Sequence, residues 1–247
     1  MGSEVRGLKR AAVLWTGGKD CSMAFYKAEL SGYKIEKLVT FTPRKGKFLA
    51  HPLSFMKYQA QALATQHLQV IIEEPFKQNY KKAILSLRDR YGIEILVTGD
   101  IAEVNEHPNW ISECCQHSGV DLLTPLWGFD RCKLLQKILS CGFKVIFSCV
   151  KKPWLSEDWL GRELNKNSIE RLSRIGLEKG FDICGEQGEY HTLVLDGPIF
   201  EKSVQIGSYA KHRRNSIMYL DLHDVALQDK IPLSIKAMRT NAVSRFR

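Results

Sequence analysis

Apolar and polar positions along the chain alternate between two periods. Ala11-Ala12-Val13-Leu14-Trp15 is a short apolar run that stops at Thr16-Gly17-Gly18, and it predicts a strand. Met23, Ala24, Tyr26, Lys27 and Leu30 then recur at helical spacing, with Gly32 as the stop. The stretch from Ile35 to Phe41 is β-branched and alternating, a second strand. Strand, glycine turn, helix, strand is a parallel βαβ unit.

The alternation continues. The pattern predicts a helix over Ser54–His67, a strand over Val70–Ile72, a helix over Tyr80–Tyr91 capped by Gly92, and a strand over Ile93–Asp100. A helix over Asn109–His117 and a strand over Val120–Leu123 complete this half. Thr124-Pro125-Leu126-Trp127-Gly128 reads as a hinge. Beyond it come a helix over Cys132–Leu139, a strongly apolar strand over Lys144–Val150 and a helix within Leu164–Leu177. Val194 and Leu195 then head a hairpin-rich end, with strands over Ile199–Ile206 and Ser216–Leu222. The expected fold is α/β: an open parallel-sheet, Rossmann-like nucleotide-binding domain over 1–126 and a smaller C-terminal α/β substrate domain over 127–247.

Composition changes this picture little. The chain has 247 residues, 44% hydrophobic and 26% charged, the balance of a globular protein that needs no disulfides. Its net charge of +9 suits either a solvated basic surface or an acidic partner. The densest basic run, Lys211-His212-Arg213-Arg214, is too short and too poor in aromatics to make a nucleic-acid groove. Seven cysteines include no CxxC pair, which removes a zinc ribbon and a thioredoxin-type site. Met1–Arg10 lacks an apolar signal region and no stretch is long enough to span a bilayer, so a cytoplasmic setting with free thiols is expected. A homo-oligomer is compatible with all of this.

Two constellations carry chemistry. The first is Thr16-Gly17-Gly18-Lys19-Asp20-Cys21-Ser22, between a strand and a helix N-terminus. Glycines let the backbone approach an anion, and the helix supplies amides and a favourable dipole. Lys19 adds a point charge. The run is neither GxxxxGK[ST] nor GxGxxG; it resembles the SGGxDS loop of the PP-loop ATP pyrophosphatases. Thr16 keeps the first hydroxyl, whereas Cys21 replaces the second serine with a weaker donor. Gly99 and Asp100 close a later strand, where ligands of open α/β sheets bind; the acid either holds Mg²⁺ or caps the next helix. His51 follows a loop that can cover a nucleotide, and a structural role for it is equally open.

The second constellation is Gly185-Glu186-Gln187-Gly188-Glu189-Tyr190-His191-Thr192, followed by the turn Asp196-Gly197-Pro198. It sets two carboxylates, an imidazole and a hydroxyl in one turn. Such a group can bind an amine, ammonia or Mg²⁺, and His191 can move a proton near neutral pH; an exposed tight hairpin is the plain alternative. Upstream, Trp154 and Trp159 suit either a cation site or core packing. Arg162, after Gly161, suits either a bound anion or a pair with Glu157 or Asp158.

Four segments together, WTGGKDCS at 15–22, TGDI at 98–101, TPLWGFD at 124–130, and WLGRELN with GEQGEYHTLVLDGPIF at 159–165 and 185–200, resemble the diphthine–ammonia ligase family. Gln187 departs from that family's usual glycine. The resemblance implies an ATP-dependent amide ligase that adenylates a carboxylate, releases pyrophosphate, and lets ammonia displace AMP. Diphthine on elongation factor 2 is the implied acceptor. A small-molecule acid, a tRNA-modifying activity and a non-catalytic ATP or AMP sensor are the alternatives. It further implies that Thr16, Gly17, Gly18, Lys19, Cys21 and Ser22 hold phosphates, that Asp20 and Asp100 position Mg²⁺, and that Trp15 and Phe41 contact adenosine. Lys19, Asp20, Glu186, Glu189 and His191 are the implied catalytic groups, with Gly185, Tyr190, Thr192, His51, Trp159, Gly161 and Arg162 around the acceptor.

Overall fold

A computed structural model describes residues 8–45, 48–103 and 110–230. The N-terminal half is a five-stranded parallel sheet in the order β3-β2-β1-β4-β5. Its strands are β1 (Arg10–Leu14), β2 (Lys34–Thr42), β3 (Gln66–Ile71), β4 (Ile95–Val97) and β5 (Asp121–Leu123). Helices α1 (Lys19–Leu30), α2 (Leu53–Ala62), α3 (Phe76–Tyr91) and α4 (Trp110–Cys115) connect them. The apolar run at 11–15 is buried except for the half-buried Leu14, because β1 is central, pairing β2 on one side and β4 on the other.

The C-terminal half is built on a four-stranded sheet, order β7-β6-β9-β8, from β6 (Lys144–Lys151), β7 (Tyr190–Asp196), β8 (Lys202–Arg214) and β9 (Ile217–Asp229). All its pairings are antiparallel. Helices α5 (Arg131–Ser140) and α6 (Lys166–Lys179) flank it. The second half is thus α/β in composition, with its helices outside an antiparallel sheet.

Several boundaries differ from expectation. The helix expected over 54–67 ends at Ala62, and 66–71 is already β3, because Ala64 takes a left-handed turn with φ 47°. The strand expected over 93–100 is hydrogen-bonded as strand only from Ile95 to Val97. The expected turn at 185–192 ends at Glu189; Tyr190, His191 and Thr192 open β7. β8 and β9 form one long ribbon of thirteen residues each, rather than two short strands. The start of the helix expected at Asn109 lies outside the described residues. As expected, α3 ends on Gly92 in the left-handed conformation.

One core cluster joins the halves. It runs from Val13, Trp15, Phe55 and Met56 to Phe147, Tyr190, Val194 and Val204. A second, smaller cluster on the other face of the parallel sheet is closed by α3 and α4.

Candidate functional site

The glycine loop leaves the carboxyl end of β1 and turns into α1. Gly17 has φ 77°, a region that favours glycine. Gly18 is the N-cap of α1 and brings no side chain to cap it. The first constellation therefore has the local shape of an anion-binding helix N-terminus. The carboxyl end of β4 is held against it. A Cβ on Gly99 would lie 2.7 Å from the backbone of Asp20 and Cys21, so only glycine allows this approach.

The second constellation sits directly on the first. Thr192 Oγ1 accepts from the backbone N–H of Lys19 at 3.1 Å, and the N–H of Val194 donates to the carbonyl of Gly17 at 3.0 Å. β7 thus lies along the glycine loop. Glu186 Oε1 accepts from the N–H of Ile101 at 3.0 Å, which ties the 185–189 loop to the end of β4. The two motifs, separated by more than 160 residues in sequence, form one site.

Lys19 is buried, with 3% of its surface exposed. Its ammonium pairs with Asp20 Oδ2 at 2.7 Å, donates to the Cys184 carbonyl, and lies 5.1 Å from the centre of the Tyr190 ring. Burial alone would lower its pKa, but Asp20 and the other groups around it outweigh that and hold the ammonium charged. Asp20 Oδ1 is buried and has no hydrogen-bond partner. Burial outweighs Lys19 at Asp20 and pushes that carboxyl up. Glu186 is raised as well, by burial first and by the charges of Asp20 and Asp100 after it.

Two histidines meet beside the loop. His51 Nε2 and His191 Nδ1 are 3.1 Å apart, one from each half of the chain. Burial, and then the Lys19 charge, pushes His191 down to about 4. Burial, His191 and Lys19 lower His51 as well. His51 Nδ1 is buried without a partner.

Other expected residues take supporting positions. Glu189 is buried and accepts from the N–H groups of Asp182 and Gln187, so its carboxylate organises its own loop. Gly185 has φ 76°, and a Cβ there would lie 2.8 Å from the Tyr190 carbonyl. Cys21 Sγ and Ser22 Oγ both turn back to the carbonyl of Gly18, and burial raises the Cys21 thiol. Thr16 is exposed at the loop, 3.7 Å from Cys21 Sγ. Trp15 is buried, donating to Gln59, and Phe41 packs edge-on against Tyr80.

Trp159, Gly161 and Arg162 are not brought to the loop. Trp159 is buried against Phe147, whose ring stands between it and Tyr190. Gly161 makes a left-handed turn beneath Tyr209. Arg162 is exposed; its guanidinium lies 5.8 Å from the centre of the Trp159 ring and donates to the Asp158 carbonyl at 3.4 Å. Trp159 packs in the core, and the Arg171 guanidinium also lies over its ring, 5.1 Å from the centre, so packing and a cation contact both occur at this residue.

Gln59 escaped the sequence reading. Its Nε2 donates to the carbonyls of Gly17 at 2.9 Å and Val194 at 2.8 Å, joining both motifs through α2. The signal was present: Gln59 lies three and four residues beyond Met56 and Phe55, on the apolar face of its helix. Arg131 and Asp182, paired at 2.8 Å, were missed too; nothing local in the sequence couples them.

The chain is similar to known proteins over most of its length. Residues 9–122 match the family description diphthamide synthase N-terminal domain, and residues 130–227 match diphthamide synthase C-terminal domain. Among curated relatives, a diphthine–ammonia ligase of Schizosaccharomyces pombe is 26% identical over 91% of this chain, which spans 41% of that protein's length. A diphthine–ammonia ligase of Bos taurus is 23% identical over 90% of this chain and 94% of its own. A solved chain described as a predicted subunit of tRNA methyltransferase from Methanocaldococcus jannaschii overlays 77% of this chain and 98% of its own, with a TM-score of 0.45 and 18% identity.

Proposed function

Since the chain belongs to the diphthamide synthase family, we propose that its two halves form one ATP-dependent amide-ligase centre. The observation that carries this is the direct seating of β7 and the 185–189 loop on the glycine loop, through Lys19–Thr192, Gly17–Val194 and Ile101–Glu186. A ligase of this type must hold the ATP phosphates and the acceptor carboxylate within one covered space. In this reading residues 1–126 bind nucleotide and residues 127–247 bring the acceptor.

ATP is the activating substrate and ammonium the nitrogen source. The acceptor is the carboxylate of diphthine on elongation factor 2. The oxygen of that carboxylate attacks the α-phosphorus, and pyrophosphate leaves. Ammonia then forms the C–N bond, and the C–O bond to AMP breaks. The amides of α1's first turn and Thr16 bind the β- and γ-phosphates, where positive charge eases departure. Mg²⁺ fits this site. Among the described residues no group of three metal-ligating side chains occurs, but Mg²⁺ on a nucleotide needs only one or two carboxylates beside phosphates. Asp20, with its partnerless buried Oδ1, and Asp100 would hold it, and it would supply charge neutralisation on the phosphates. Covering of the loop by β7 keeps water from the adenylate.

The test is to incubate the protein with ATP, Mg²⁺, ammonium and elongation factor 2 carrying unamidated diphthine. Nucleotides are separated by chromatography and the modified peptide is weighed by mass spectrometry. AMP with the acid converted to the amide is expected, and Asp20→Ala should abolish both. AMP without amide formation would move the acceptor to a small-molecule acid; ADP in place of AMP would overturn the reading.

A further inference from the structure

We propose that the seat filled by the Lys19 ammonium is the binding site for the ammonium ion that amidation consumes, vacated when nucleotide phosphates draw Lys19 away. This rests on the ligase reading above. The seat has three walls of different chemistry: the carboxylate oxygen Oδ2 of Asp20, the backbone carbonyl of Cys184 and the face of Tyr190. A carboxylate, a carbonyl dipole and an aromatic face each attract a small cation, and together they recognise N–H donors around a point charge. Lys19 Nζ is itself a primary ammonium held there, so the structure displays the seat occupied by the functional group of its proposed ligand.

Lys19 also has a second place to go. It is the first residue of α1, one position after Gly18, so its side chain springs from the phosphate-binding turn. Burying it costs desolvation, offset by a neighbour in sequence and by a loop from the other half. The phosphates of bound nucleotide carry more negative charge than Asp20 and compete for the same nitrogen. Rotation of one side chain then empties the seat without moving its walls. Nucleotide would thereby be needed before ammonium binds, which orders the reaction.

The chemistry balances. The ammonium ion gives one proton to the carboxylate of Glu186, which sits in the loop between two of the seat's walls, Cys184 and Tyr190. The resulting ammonia uses its lone pair to form the C–N bond with the acyl carbon. The electron pair of the breaking C–O bond leaves with AMP, and the second proton lost from nitrogen goes to water.

The experiment reads binding rather than turnover. ¹⁵N-labelled ammonium chloride is titrated at constant ionic strength and followed by ¹⁵N-edited proton NMR, with and without the non-cleavable analogue α,β-methylene-ATP. Wild type should show saturable ammonium only with the analogue. Lys19→Met should show it without nucleotide, because its seat is already empty. Tyr190→Leu should weaken ammonium binding about fivefold or more, and Tyr190→Phe should not. Equal ammonium binding with and without bound analogue would overturn the proposal. So would competition by potassium at equal concentration, which would make the seat a general monovalent-cation site. If the analogue itself failed to bind, the nucleotide assignment would fall, and the Lys19→Met titration would still decide the seat.

Discussion

His51 and His191 are neutral imidazoles in the folded protein, since burial and the nearby Lys19 ammonium both disfavour a second positive charge. One ring donates the shared hydrogen and the other accepts it across 3.1 Å. The sign of the pH effect follows. His191 titrates at about 4 when folded and near 6.5 when unfolded, so between those values the unfolded chain binds more protons. Stability is therefore complete above about pH 6.5 and is lost as pH falls toward 4. The loss assigned to His191 is on the order of 3 kcal/mol. Urea unfolding at pH 7.5, 5.5 and 4.5 checks it. His191→Asn should flatten the decline over that range; an unchanged slope would mean that His51, which burial lowers in the same direction, or the carboxylates govern it.

At the scale of elements, α1 is capped in trans. Gly18 has no side chain to offer, and the hydroxyl of Thr192 on β7 takes the Lys19 N–H instead. Thr192→Val keeps the strand-forming shape and removes the acceptor. It should cost about 0.5–2 kcal/mol, the range for losing an N-cap, with Thr192→Ser retaining most of it. Chemical denaturation of the three proteins tests this, and it should also weaken nucleotide binding, since the capped turn is the phosphate loop. The cap was illegible in sequence, because the helix and its capping residue are 173 positions apart. What was legible was local. The βαβ start, Gly92 at the end of α3 and both loops announce themselves through glycine placement and period. What failed was also local information overruled by partners. Gln66 and His67 extend the helical pattern of α2, yet they pair with Lys37 and Leu38 of β2. Tyr190, His191 and Thr192 look like the end of a polar turn, yet pairing with β6 draws them into β7. Trp159 suits a cation wall or the core in sequence, and its neighbours Phe147 and Arg171, which lie over or against its ring, come from elements that no local pattern couples to it.

At the scale of the whole molecule, the two sheets share their interior. Trp15, Phe55 and Met56 from the parallel half lie in the same apolar cluster as Phe147, Tyr190 and Val204 from the other. Gln59 is hydrogen-bonded into both motifs, and the N–H of Glu201 donates to the Ala62 carbonyl at 2.7 Å. Separation of the halves would expose this shared apolar surface and leave Gln59 and the Gly17 carbonyl without their cross-half partners, a cost that neither half recovers alone. The protein should therefore unfold in one transition. Far-UV circular dichroism, which follows both sheets, and tryptophan fluorescence should give coincident denaturation curves, with equal calorimetric and van't Hoff enthalpies. Two separable transitions would mean that the seam is a loose hinge, and that the contact between the phosphate loop and β7 opens at little cost. A single transition would mean that access to the phosphate loop depends on side-chain movement, the kind of step a rotating Lys19 provides, rather than on parting of the halves.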